Sequence, residues 1–319
     1  MFARITGVGG SLPGNPVTNL DLIRRGVDSD DDWIITRTGI RARHLATPET
    51  LSSDLALEAS RKALRSAKVD ADEIDLIILA TSTPDCIFPG TACLLQAKLG
   101  NKSAMTFDIQ AACSGFVYAL TIAEKFIRTG NCKKALIAGA EILSRILDWN
   151  DRSTCVLFGD GAGAVVVEAS ETPGILSCVA HADGAYHSIL TVPGMVYGDK
   201  IIGHPFLKMD GHAVFRFAVR ALFDIAEKCC ANAGVPPGDV DWFVPHQANL
   251  RIINSTAKRL GIGPERIVVT LDAHGNTSAA SIPLALDVAV GDGRIQRGQK
   301  LLLEGVGGGM TWGAVLLEF

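Results

Sequence analysis

Thr106-Phe107-Asp108-Ile109-Gln110-Ala111-Ala112-Cys113-Ser114-Gly115 is the stretch that decides the fold. Thr106 to Ile109 alternate as a strand does, and Ala111 and Ala112 are small enough for close packing. From Ser114-Gly115 onward, Phe116, Ala119, Leu120, Ala123 and Phe126 recur at helical spacing, and Gly130 closes the run. A strand therefore feeds a helix, with a cysteine at the junction. Unpaired N–H groups and the positive end of the helix dipole gather at such a start. They favour a thiolate, so the sequence predicts a Cys113 pKa below the ordinary thiol value. A lone cysteine more often packs as a small apolar residue. The rest of the chain has to separate these two readings.

The 319 residues are 48% apolar and carry a net charge of −4. That length permits two ordinary domains or one large one, with a sizeable core rather than disorder. The charge balance excludes a global nucleic-acid-binding surface, so any basic surface must be local. The run after Met1 is too short and glycine-rich for a signal-peptide core, and no apolar run nears the ~20 residues of a spanning helix. A soluble, cytoplasmic protein without membrane attachment is expected. The eight cysteines form no C-x-x-C pair and no Cys/His cluster of zinc spacing. No metal site is expected, and the thiols are expected to stay reduced. The pair Cys229-Cys230 falls in a helical pattern and reads as packing.

Taken in order, Ala3 to Val8 reads as a strand. The glycine-rich segment after it opens no helix, which excludes a dinucleotide fingerprint there. Asp28 to Arg43 reads as a polar loop anchored by Trp33. A tryptophan beside Arg37, Arg41 and Arg43 would alternatively stack a nucleotide base and hold phosphates. Helices are predicted at 52–67, 91–99 and 210–233, and buried strands at 74–80 and 134–139. Gly161-Ala162-Gly163 leads into a strand, so it reads as close packing and not as a phosphate loop. The segment 181–205 has no clear element and reads as a binding loop or lid.

The second half echoes the first. Asp75-Leu76-Ile77-Ile78 matches Asp241-Trp242-Phe243-Val244, and Ala97-Lys98-Leu99-Gly100 matches the segment ending at Leu260-Gly261. Ala135 to Gly139 matches Lys300 to Gly305, and the 161–165 stretch matches Trp312 to Val315. Weak matches in one order predict two similar α/β units, 1–172 and 173–319, built as layered sheets covered by helices. Laying Ile267 to Asp272 on the strand before Cys113 brings Asn276-Thr277-Ser278 near the Cys113-Ser114 position. Val244-Pro245-His246-Gln247-Ala248-Asn249 places a histidine just past another strand. Loops beyond strand ends are where open α/β sheets build their sites.

These residues resemble the ketoacyl-acyl carrier protein synthase III family of thiolase-like condensing enzymes. The resemblance rests on Asp32 to Ile40, Ala111 to Gly115, Phe158 to Gly163, Pro245 to Asn249, His274 to Ser281 and Gly307 to Gly313, and so spans nearly the whole chain. Ser114 and Met310 fall where the family varies. The resemblance implies a five-layered αβαβα fold, a homodimer and a catalytic triad of Cys113, His246 and Asn276. Cys113 would take an acyl group from acyl-CoA, with acetyl-CoA as the expected primer. The amides of Cys113 and Gly308 would hold the oxyanion, each donor contributing about 3 kcal/mol. His246 and Asn276 would serve the decarboxylation of malonyl-acyl carrier protein, giving a 3-ketoacyl product that initiates fatty acid biosynthesis.

The resemblance also turns Trp33, Arg37 and Arg152 into a grip on the CoA nucleotide. It sets Gly211 and Asn249 along the pantetheine tunnel, and lets Phe88 close the acyl pocket from the partner subunit. Arg216, Arg251, Lys258 and Arg259 would form a docking patch for the acidic carrier protein. No cofactor is implied beyond coenzyme A thioesters and the carrier's own phosphopantetheine. Three rivals remain at this level. A long-chain or specialised acyl-CoA condensing enzyme of the same fold would differ in substrate. A papain-like protease shares the Cys, His, Asn order, but the setting of Cys113 and the repeated α/β pattern are wrong for it. A non-catalytic binding module would bind acyl-CoA without becoming acylated.

Overall fold

The structure is a computed structural model that describes all residues, 1–319. Two sheets carry the chain. The first runs in the order Phe2–Ser11, Gly161–Ser170, Lys134–Glu141, Leu76–Ala80 and Met105–Ile109. The second runs Ile175–Ala182, Thr311–Glu318, Lys300–Gly307 and Trp242–Pro245. Ile267 extends it by a parallel bridge to Phe243. In both sheets the first two pairings are antiparallel and the remainder parallel. The same strand order with the same directions is the structural counterpart of the sequence echoes.

Between the sheets lie two helices, Gly115–Arg128 and Ser281–Gly291. Their apolar stripes bury Phe116, Leu120, Ile127, Ile282 and Leu286 against Ile78, Ile137, Val165, Leu303 and Val315. Each fully buried side chain of this size contributes roughly 1.5–3 kcal/mol. Outside the first sheet, Ser52–Ala67 and Thr91–Leu99 cover Ile77, Leu136 and Val166. Outside the second, Gly211–Ala233 and Leu250–Leu260 cover Phe243, Leu302 and Leu316. The result is five layers, helices–sheet–helices–sheet–helices. Alternate residues of Lys134–Glu141 and Lys300–Gly307 face opposite layers, so both faces are apolar, as the continuous hydrophobic runs require.

Several expectations need correction. Asp31–Thr38 is a helix, not a loop. Its start is capped by the Asp30 side chain accepting from the Trp33 N–H at 2.7 Å, and Gly39 ends it at φ 86°. The alternating strand before Cys113, Met105–Ile109, is the half-buried edge strand of its sheet. The segment read as irregular contains short strand pairs, Leu190–Thr191 with Lys208–Met209 and Met195–Tyr197 with Lys200–Ile202.

The register of the repeat also shifts. Both central helices are preceded by a tight turn, Ala112–Ser114 and Ser278–Ala280, and each turn opens on a residue with positive φ, Ala112 at 44° and Ser278 at 50°. Ala279, not Asn276, is therefore the positional counterpart of Cys113. Asn276 lies three residues earlier, opposite Gln110.

Candidate active site

Cys113 stands in the Ala112–Ser114 turn, at the head of the Gly115–Arg128 helix. The buried strand Lys300–Gly307 runs beside it. A Cβ on Gly307 would stand 2.6 Å from the Cys113 amide nitrogen and 2.8 Å from the Ala111 oxygen, so only glycine allows this approach. Ser114 and Thr311 fasten the two segments. The Ser114 hydroxyl lies 2.8 Å from Thr311 Oγ1, and both hydroxyls reach the Ala111 carbonyl. Gly308 follows directly, and its N–H has no backbone acceptor. Gly308 and Cys113 line one cavity. We expect Gly307→Ala to displace the turn, lowering stability by about 1–3 kcal/mol and slowing acylation; thermal melting and an acylation assay check this.

His246 follows the Trp242–Pro245 strand, and its N–H donates to the Glu304 carbonyl at 2.7 Å. Its Nδ1 lies 2.6 Å from Ser281 Oγ, the first residue of the second central helix. Ser281 Oγ also accepts from the Gln247 N–H at 3.3 Å. The Ser281 proton therefore has the ring nitrogen as its partner, and this network assigns the imidazole proton to Nε2. Burial pushes the His246 pKa down to about 3, so the ring is neutral and a hydrogen-bond donor near neutral pH.

Asn276 precedes the second tight turn. Its Oδ1 accepts from the Ser278 N–H at 2.8 Å, which leaves Nδ2 as the free donor. Backbone bonds of Asn276 to Leu157 and Gly159 hold it against the first half of the chain.

Cys113, His246 and Asn276 are 6%, 4% and 6% exposed, and all three line one cavity of about 140 Å³. Gly211 and Asn249 line the same cavity, as do Phe215, Ile252, Val306 and Met310. A larger space of about 430 Å³ meets it at Cys113 and is walled by Leu143, Ile146, Phe158, Leu190 and Leu207. One correction concerns the nucleophile. Burial, aided by the Glu141 charge, raises the Cys113 thiol to about 12. The helix start was expected to lower it, but the thiolate would be closed off from water, and that desolvation outweighs the dipole.

The remaining residues fall in three groups. Trp33 is half-buried, with the Arg37 and Arg152 guanidiniums 5.1 and 5.2 Å from its ring centre. Asn249 ties this group to the cavity, because its side chain donates to the Arg37 carbonyl at 3.0 Å and also caps the Leu250–Leu260 helix. Arg216, Arg251, Lys258 and Arg259 are exposed on the two outer helices and make no ion pair. Arg259 instead covers the Phe223 ring at 3.8 Å. Phe88 lines neither cavity of its own chain and is 85% exposed. Sequence reasoning missed Glu141, Ser278 and Ser281 as working side chains. The two serines lay in a motif already singled out, and Glu141 was a lone acid ending an apolar strand.

A five-layered fold with a cysteine, a histidine and an asparagine around one buried cavity defines a thiolase-like condensing enzyme. The profile of 3-oxoacyl-[acyl-carrier-protein] synthase III matches residues 107–184, and the profile of its C-terminal part matches residues 230–319. The chain is similar to the 3-oxoacyl-[acyl-carrier-protein] synthase III of Aquifex aeolicus VF5, with 47% identity, 99% and 100% of the two chains covered and a TM-score of 0.94. It is similar to the synthase III of Thermus thermophilus at 43% identity, 99% and 99% coverage and a TM-score of 0.93. The corresponding values for that of Pseudomonas aeruginosa PAO1 are 40%, 100% and 98%, and 0.93. The chain belongs to the 3-oxoacyl-[acyl-carrier-protein] synthase III family. It is a condensing acyltransferase of the initiating step of fatty acid synthesis.

Proposed function

We propose that the condensation runs as two half-reactions on Cys113, with an acyl-CoA as first substrate and malonyl-acyl carrier protein as second. The convergence of Cys113, His246 and Asn276 on one cavity carries this reading. Cys113 attacks the CoA thioester, and the oxyanion is held by the amides of Cys113 and Gly308. CoA leaves, and malonyl-acyl carrier protein enters by the same tunnel past Asn249 and Gly211. Loss of CO2 places negative charge on the thioester oxygen, which accepts from His246 Nε2–H and Asn276 Nδ2. Two neutral donors suit that oxygen, since neither needs to lose a proton to act. The carbanion attacks the acyl-cysteine and releases the 3-ketoacyl product. No metal or resident cofactor takes part in this scheme; CoA and the carrier's phosphopantetheine come and go as substrates.

Trp33, with Arg37 and Arg152, is read as the grip on the CoA nucleotide, the ring stacking a base and the guanidiniums meeting phosphate. The space walled by Leu143, Ile146 and Phe158 is read as the acyl pocket, with acetyl-CoA as primer. The protein is read as a homodimer. The edge strand Met105–Ile109 is open, with Met105 half exposed, and edge strands of this kind pair with another chain. Phe88, exposed and outside both cavities of its own chain, is read as closing the acyl pocket of the partner subunit. No helix is long and apolar enough to cross a membrane, in keeping with a soluble cytoplasmic enzyme.

Mixing the protein with acetyl-CoA and malonyl-acyl carrier protein tests the reading. A 3-ketoacyl-carrier product is expected. Product from long-chain primers but none from acetyl or other short ones would favour a specialised condensing enzyme. A second expectation concerns docking. Arg216 and Lys258 are exposed and unpaired on the outer helices, so reversing both to Glu should raise KM for malonyl-acyl carrier protein about 10-fold, while acylation by acetyl-CoA changes little. Added salt should weaken carrier binding in the wild type more than in the variant.

A further inference from the structure

One buried ionisable group beside Cys113 has no part in the scheme above. Glu141 ends the Lys134–Glu141 strand and is fully buried. Its Oε1 accepts from Ser278 Oγ at 3.0 Å, and its Oε2 accepts from Thr83 Oγ1 at 2.7 Å and the Ser82 N–H at 3.0 Å. Thr81 Oγ1 lies 3.4 Å away. Every neighbour is a donor, an arrangement suited to an ionised carboxylate. Ser278 and Cys113 line the same cavity, and the two tight turns that carry them pack against each other. With its own proton committed to Glu141, Ser278 Oγ keeps lone pairs free to accept a proton within that cavity.

We propose that Ser278 and Glu141 form a relay that accepts the Cys113 thiol proton during acylation, keeps it in the acyl-enzyme, and returns it when Cys113 is expelled. This rests on the two-step reading given above. As sulfur attacks the acyl carbon, the S–H bond breaks and its proton passes to Ser278 Oγ while the Ser278 proton passes to Glu141. The C–S bond to CoA then breaks, and the CoA thiolate leaves with the electron pair and takes a proton from solvent. In the condensation, Cys113 leaves the second tetrahedral intermediate as a thiolate. Glu141 gives its proton back through Ser278, so the resting thiol and carboxylate are restored.

Two arguments favour this path. The first is charge. A thiolate beside an ionised Glu141 would put two negative charges in one buried site, whereas with the relay the site never holds more than one. The second is the shortage of other bases. His246 is pushed down to about 3 by burial, so it holds an added proton poorly. Glu304 is buried on the strand Lys300–Gly307, but it lies on the outer face of that strand, towards Cys229 and Cys230. Burial raises Glu141 to about 7, which matches a base working near neutral pH.

The groups facing Glu141 leave the assignment simple. The 81–83 loop offers two hydroxyls and an amide, and the 278–280 turn offers Ser278 and the Ala279 amide. The adjoining strand begins at Gly161, and the carboxylate of the preceding Asp160 is already bound by Ala46 and Ser144. Cys113 is the titratable partner across Ser278.

The test is the rate of acyl-enzyme formation from acetyl-CoA against pH, for wild type, Glu141→Gln and Ser278→Ala. Ser278→Ala leaves Glu141 its other donors and serves if the glutamine variant fails to fold. In the wild type the rate should rise through an inflection near pH 7, where Glu141 ionises and becomes able to accept a proton. In the variants the neutral-pH rate should fall about 10²-fold, lose that inflection and climb steadily with pH until it approaches wild type. Profiles parallel to wild type in both variants, or no loss at neutral pH, overturn the relay. Absence of acylation in the wild type overturns the underlying reading as well.

Discussion

Cys113→Ala is expected to form no acyl-enzyme with acetyl-CoA and to make no 3-ketoacyl product. No other cysteine substitutes for it. Cys155, Cys229 and Cys230 are packed in apolar layers, and Cys86 is exposed away from the cavity. Losing a nucleophile removes the covalent path altogether, a loss on the order of 10⁴–10⁶ in turnover. The substitution removes a small buried side chain, so it changes folding stability far less than activity. The informative half of the result is what survives. Release of CO2 from malonyl-acyl carrier protein needs donors at the thioester oxygen and no nucleophile, so the variant should retain it. Intact-mass measurement with acetyl-CoA, and labelled CO2 release with malonyl-acyl carrier protein, read the two halves separately.

The complementary result is expected from His246→Ala and Asn276→Ala. Each removes one neutral donor aimed at the oxygen that gains charge on decarboxylation, and the loss of one such donor typically costs about 10²–10³ in rate. Acylation of Cys113 relies on the amide donors of Cys113 and Gly308 and should fall much less. The double variant should lose less than the product of the two single losses, because donors on one oxygen act as a unit. The pH profile gives a further check. With His246 held neutral down to about 3, decarboxylation should show no inflection near the ordinary histidine value. A rate that falls as pH drops through the ordinary histidine range would mean that the ring is protonated there and that its assigned role is wrong. Equal loss of both half-reactions would contradict the division of labour as well.

The site was legible in sequence where local pattern and position agreed. Cys113 stood between a period-two and a period-3.6 segment, and His246 followed an apolar strand. Asn276 lay in the glycine-containing run from His274 to Ser281. The echoes anticipated that the two sheets share one plan, and the three matched strand pairs do occupy equivalent places in their sheets. What escaped depended on tertiary surroundings. The Cys113 pKa was misjudged because the helix start is a local feature, whereas burial against Gly307 and the charge of Glu141 are not. The Asp31–Thr38 helix lacks a wide apolar stripe, and only its caps, Asp30 and Gly39, betray it. The three-residue register error arose from laying the 267–272 segment on the strand before Cys113, because the helical turn Leu271–His274 intervenes and the equivalent features are the positive-φ residues Ala112 and Ser278. Glu141 was hidden for a simpler reason, since an acid at a strand end looks solvent-facing until the opposite turn covers it.

A single chase experiment bears most directly on the central claim. The protein is acylated with labelled acetyl-CoA, freed of excess CoA, and then given malonyl-acyl carrier protein. The label should first map to the peptide containing Cys113, then leave it as the 3-ketoacyl-carrier product appears with release of CO2. Label on any other residue, or label that stays on Cys113 while CO2 is released, would contradict a condensation through acyl-Cys113.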